Sequence, residues 1–228
     1  ANSIVFINFL LYFGQWLVVD GGLSDFWYNA LFAIATLLLL ASAPWLASFT
    51  DRSGGRKFFL NISSVGIFLS YGLAALVAHG GVDNVLWAAL LFLIGQYFYQ
   101  LSFVFYNPML NEVADEAHRS RASGIGQFSN SLGQVLGLVM TISLSGSRLD
   151  PLLPAVGVFI ILALPMMIWF KEERSREKIG GTQVMRQEMK SYVKRTAVFF
   201  SVSTAVPMLV AFFFYNDALI TISNNYSI

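Results

Sequence analysis

FTDRSGGRK, residues Phe49–Lys57, packs four charges and two glycines into nine residues, in a chain where only 12% of residues are charged. Two readings compete for it. Glycines beside basic residues can cradle a phosphate, but that needs a preceding strand and G-x-G-x-x-G, or the longer Walker spacing. This stretch has neither spacing, and long apolar runs, Phe26–Ser48 and Phe58–Ala78, flank it. Spanning helices need about 20 mainly apolar residues. The stretch therefore reads as the turn of a membrane hairpin, with Gly54 and Gly55 letting the chain reverse.

The rest of the chain agrees. It is 56% hydrophobic and 15% aromatic, with no cysteine. Soluble domains carry about 25% charged residues, so the composition is that of a membrane protein. Without cysteine there is no disulfide, thiolate metal site or cysteine nucleophile. The net charge of +1 carries no argument for a nucleic-acid partner. Apolar runs predict seven spans: Ala1–Val19, Phe26–Ser48, Phe58–Ala78, Val85–Met109, Ala122–Leu144, Leu152–Phe170 and Ala197–Ile222. Beginning at Ala1 inside an apolar run, the chain is expected to be a piece of a longer one.

Basic residues fix an orientation. Arg52, Arg56 and Lys57 lie between spans two and three, and Arg119 and Arg121 between four and five. Lys171, Arg174, Arg176, Lys178, Arg186, Lys190, Lys194 and Arg195 lie between six and seven. Of 14 basic residues only Arg148 falls on the opposite side. Basic loops favour the cytoplasm, so the N-terminus is expected there, in a bacterial inner membrane. The expected organisation is an all-α, polytopic membrane protein. It has a six-helix bundle (1–170), a cytoplasmic linker with a basic amphipathic helix (171–196), and the first helix of a second bundle (197–228).

Polar side chains inside spans are costly and face a cavity or another helix. Asn8, Tyr12 and Gln15 recur at helical spacing in the first span. Gln96, Gln100 and Asn107 do so in the fourth, and Gln127, Asn130 and Gln134 in the fifth. Three amide stripes predict a central polar cavity lined by Asn8, Gln15, Gln96, Gln100, Asn107, Gln127 and Asn130. Interhelical bracing is the alternative. Neutral amides suit a small polar or zwitterionic solute, and the absence of mid-span Lys or Arg from the first six spans disfavours an anion. Asp217, inside an apolar run, is the candidate ion- or proton-coupling group. His79 and His118 fall in loops on opposite sides, so no metal site, cofactor or intramembrane hydrolase is expected.

The opening stretch resembles the signature of the major facilitator superfamily, G-x-x-x-D-R-x-G-[RG]-R-[KR]. Asp51, Arg52, Gly54, Arg56 and Lys57 match, and Ala47 stands at the leading glycine. ANS (Ala1–Ser3), YNPMLNEVA (Tyr106–Ala114), SGIG (Ser123–Gly126) and YND (Tyr215–Asp217) resemble a narrower branch. These are uncharacterised bacterial facilitators related to autophagy-linked vacuolar amino-acid effluxers. The resemblance implies a secondary transporter working by alternating access, with amino acids as solutes and efflux as direction. It implies that Asp51, Arg52, Gly54, Arg56 and Lys57 form a conformational latch, the arginines able to pair with Glu112, Asp115 or Glu116. It also implies a C-terminal half beyond this chain. The branch's glycines in the fifth span are replaced by Asn130 and Gln134, with Ser131 beside them in place of tyrosine. The fourth-span arginine linked to proton coupling and the antiporter glycine-proline pattern are missing, so proton antiport is not implied. A lipid scramblase, sensor or assembly factor on the same fold is the alternative function.

Overall fold

The computed structural model describes residues 1–53, 55–113, 118–144 and 146–170, together with Pro207, Met208, Val210, Ala211, Phe214 and Tyr215. For 48, 51–53, 110–113 and 119 it describes the backbone alone. Six long helices follow one another: α1 (Asn2–Asp20), α2 (Asp25–Ser53), α3 (Arg56–His79), α4 (Val85–Val113), α5 (Arg119–Ser143) and α6 (Leu152–Trp169). A short 3-10 turn, Val82–Asn84, leads into α4. The all-α polytopic fold expected from the sequence is observed. The linker 171–196 and Asp217 lie outside the described residues, and the six described residues of the seventh span are helical.

Five of these helices are long and apolar enough to cross a membrane; α5 is not among them. At 25 residues α5 has the length, but its Ser, Gly, Asn and Gln residues lower its apolarity. It packs against α1 instead of relying on lipid alone. There Gly133 lies against Ser3 and Gly137 against Ile7 and Asn8. A Cβ on Gly137 would come within 2.7 Å of Ile7. Small residues of this kind let membrane helices approach closely.

The tightest pairing is α3 with α4, and it interlocks in both directions. Gly66 of α3 receives the Phe98 ring, and Gly95 of α4 receives the Tyr71 ring. Between α1 and these helices sits an aromatic core of Phe9, Phe13, Tyr28, Tyr71 and Phe92, all buried. Phe9 stacks on Tyr71 at 4.3 Å, and Phe13 meets Phe92 at 5.3 Å. Such aromatic contacts contribute about 0.5–1.5 kcal/mol each beyond burial.

α1 is not a uniform α-helix. Phe9–Phe13 and Trp16–Asp20 are π-helical. Val5, Phe9, Phe13 and Leu17 are all wholly buried, at four-residue spacing. In an α-helix such a ladder drifts by roughly 120° over its length, at 3.6 residues per turn. The wider π turns hold it against the core.

α2 turns an almost wholly apolar face outward, with Phe26, Trp27, Leu37, Leu38, Leu40 and Trp45 exposed. Trp27 and Trp45 lie ~27 Å apart by helical rise, close to the hydrocarbon thickness of a bilayer. Exposed Trp87 and Trp169 add one tryptophan towards each end, as interfacial belts require.

The ends differ in charge chemistry. At the basic end only residues 54 and 55 separate α2 from α3, and Gly55 reverses the chain at φ −107°. The Lys57 ammonium donates to the Phe170 carbonyl that ends α6. At the opposite end Arg148 donates to both carboxylate oxygens of Asp20 at 2.7 Å, tying the end of α1 to the α5–α6 loop. In that loop the Ser147 amide and hydroxyl donate to Asp150 at 2.6 and 2.8 Å. These bonds, with a smaller contribution from His79, hold the Asp150 carboxyl below its ordinary value of 3.8. A depressed carboxyl contributes stability that is complete above its unfolded pKa and lost as pH falls through the folded one. Asp150→Asn is therefore expected to flatten the pH dependence of thermal unfolding below about pH 4 and leave it unchanged near pH 7. A variant with the wild-type acid profile would overturn this.

Candidate solute-binding site

The amide stripes predicted on α1, α4 and α5 do not converge as one set. Asn8, Gln96, Gln100 and Asn130 each bond to a neighbouring helix. Asn8 is wholly buried. Its Nδ2 donates to Ile4 O at 2.8 Å and to Gly137 O at 3.4 Å, and its Oδ1 accepts from the Thr141 hydroxyl. The geometry at Asn8 is that of a brace between α1 and α5. One turn nearer the basic end, the Ser3 hydroxyl donates to Asn130 Oδ1.

On α4 the amides point to two other helices. Gln96 is buried and accepts from the Tyr71 hydroxyl of α3 at 3.0 Å. Gln100 is half-buried and its Nε2 lies 3.2 Å from Thr36 Oγ1 of α2. Beside it the Ser42 and Tyr97 hydroxyls pair at 2.9 Å, and Asn2 donates to Ser102 at 2.9 Å between α1 and α4.

Three of the amide residues, Asn107, Gln127 and Asn130, are exposed, Asn130 despite its bond to Ser3. They cluster towards the basic end of α4 and α5, where the Tyr106 hydroxyl comes within 3.8 Å of a Cβ placed on Gly126. Gln15 is half-buried on α1 and has an interaction of its own. The π turn at Phe9–Phe13 separates it from Asn8, which a continuous α-helix would place on the same face. Among the described residues every charged side chain lies in a connection or near a helix end, so the middle of the bundle offers amides, hydroxyls and aromatic rings only.

Sequence reasoning missed the hydroxyl partners: Ser3, Thr36, Tyr71, Ser102 and Thr141. A signal existed for Thr141, which continues the α5 stripe of Gln127, Asn130 and Gln134 two turns further at i+7 from Gln134. The latch positions are partly described. Arg56 and Lys57 open α3, Asp51 and Arg52 occupy the last turn of α2, and Gly54 lies outside the described residues.

A hairpin of apolar helices turning at DRSGGRK, inside a six-helix bundle with polar braces, narrows the family sharply. The Major Facilitator Superfamily model matches residues 1–227. The chain belongs to the Major Facilitator Superfamily. It is thus an integral membrane protein of a family of transporters rather than enzymes, whose members move small solutes across the bilayer. No curated protein and no solved structure matched the chain. Within this facilitator the signature turn is the two-residue reversal between α2 and α3, anchored to α6 through Lys57.

Proposed function

We propose that this facilitator carries a small polar solute by alternating access, with amino acids as the solute class and efflux as the direction. The observation that carries this reading is the contrast between faces. α2 is almost wholly apolar outward, whereas α4 and α5 leave Asn107, Gln127 and Asn130 exposed. A polar face beside a lipid-compatible one is what a solute path between two half-bundles needs. The second half-bundle would begin with the seventh span, and Asp217 would couple an ion or proton there. Asp51, Arg52, Gly54, Arg56 and Lys57 would act as the latch between states, and the basic end would face the cytoplasm. The resemblance of short motifs to a narrower branch is what suggests amino acids as cargo.

The test is flux of labelled amino acids through the full-length transporter in proteoliposomes, with and without a proton gradient. Gln127→Leu should raise the half-saturating concentration about tenfold, matching the loss of one hydrogen bond to solute at ~1.4 kcal/mol. No flux of any polar solute, or an unaltered variant, would overturn the reading.

A further inference from the structure

α1 leaves the α-helical pattern twice, and each time a carbonyl is bypassed. At the first place the Gly14 amide donates to Phe9 O, five residues back. Its α-helical acceptor, Leu10 O, accepts instead from the Tyr28 hydroxyl of α2 at 3.3 Å. At the second the Gly21 amide donates to Trp16 O at 2.8 Å, while Leu17 O accepts from the Leu23 amide at 2.9 Å. Both bypassed carbonyls thus find a substitute donor, as buried carbonyls must. The first substitute is a side chain from another helix.

The fit at that place is narrow. Tyr28 is wholly buried. A Cβ on Gly14 would lie 2.5 Å from its hydroxyl oxygen and 2.9 Å from Cζ. One glycine therefore supplies both the amide of the π register and the notch that seats the hydroxyl. The ring of Tyr28 also packs against Phe32 and Phe92 of the aromatic core.

We propose that Tyr28 is a positioning residue of the solute path, because its hydroxyl on Leu10 O holds α1 in the π register. In the α register the Gly14 amide would take Leu10 O, and Phe9 O would pass to the Phe13 amide. One hydrogen bond is exchanged for another at Leu10, so the registers differ mainly in the burial of Trp16 and Leu17, which the π register keeps in the core. The change removes one residue of slack and turns the part of α1 beyond Gly14 by about 100° relative to the part before it. Gln15, the first side chain past the notch, turns with it towards the face of Asn8. The consequence for the transport cycle rests on the function proposed above; the two registers do not. π turns of this kind recur at functional sites in helices.

The chain carries no cysteine, so single reporters can be introduced directly. In the full-length transporter in proteoliposomes, Gln15→Cys would be labelled by a membrane-impermeant maleimide with Tyr28 intact and with Tyr28→Phe. Loss of one buried hydrogen bond should change the labelling rate at position 15 about tenfold, while a Gln127→Cys reporter changes less than about twofold. Gly14→Ala, which fills the notch, should act in the same direction. Unchanged labelling at position 15 in both variants would overturn the proposal. Should either variant fail to fold, hydrogen exchange of the wild-type protein decides. The Gly14 amide should exchange at least about tenfold faster than the buried amides around Tyr71 in α3, and equal protection would overturn the two registers. Labelling and exchange need no solute movement, so they report on α1 even if the transport reading fails.

Discussion

Asp51→Asn, introduced into the full-length transporter, should lower the maximal flux about tenfold and move the half-saturating solute concentration by less than about threefold. Asp51 sits in the last turn of α2, which ends at Ser53. There the helix dipole disfavours a carboxylate by about 0.3–1 kcal/mol. Its own helix therefore does not favour the charge. The proposed latch needs a contact that this charge makes in only one transport state. Asparagine keeps the shape and removes the charge, so a charge-assisted bond of about 1.5–3 kcal/mol is weakened. That biases the equilibrium between states while leaving the solute site alone. Initial rates over a range of solute concentrations separate the two parameters. A variant with wild-type maximal flux would remove Asp51 from the latch.

Gly95→Ala should be the most damaging single-methyl addition among the described glycines of α3 and α4. The new Cβ would lie 2.5 Å from two atoms of the Tyr71 ring. That ring has nowhere to go. Tyr71 is wholly buried, stacked on Phe9 at 4.3 Å and on Phe92 at 5.9 Å, and donates to Gln96 at 3.0 Å. Overpacking of this kind costs about 1–3 kcal/mol, and displacing the hydroxyl leaves the Gln96 amide short of a partner. A drop of about 5–10 °C in the thermal unfolding midpoint in detergent is expected. Gly72→Ala on α3 is the contrast. Its Cβ would sit 3.7 Å from Val156, an ordinary contact, so its midpoint should stay within about 2 °C of wild type. Equal midpoints for the two variants would show that the α3–α4 interlock is not what sets stability.

The spans were legible in the sequence because a bilayer imposes a length and an apolarity that each segment must meet alone. Glycine and basic residues marked the reversal after Ser53 for the same local reason. Asn8 shows where local reading stops. Its spacing to Tyr12 and Gln15 assumed 3.6 residues per turn, and the π turn at Phe9–Phe13 depends on a hydroxyl from Tyr28 in a different helix. No periodicity within α1 carries that information. Gln96 and Gln100 were marked correctly as polar positions inside a span. Their partners, Tyr71 and Thr36, followed from which helices pack together, which a single sequence does not state. α5 lay between these cases. Its glycines announced close packing, while its polarity left it less apolar than a lipid-facing helix needs to be.

The grip of Lys57 on the last carbonyl of α6 has a mechanical side. It joins the start of α3 to Phe170, the residue that follows α6. A pull on Phe170 reaches the start of α3 through the Lys57 ammonium as well as through the packing of α6 on α3. The end of α6 and the start of α3 are thus mechanically coupled at the basic end, beside the turn that carries the signature.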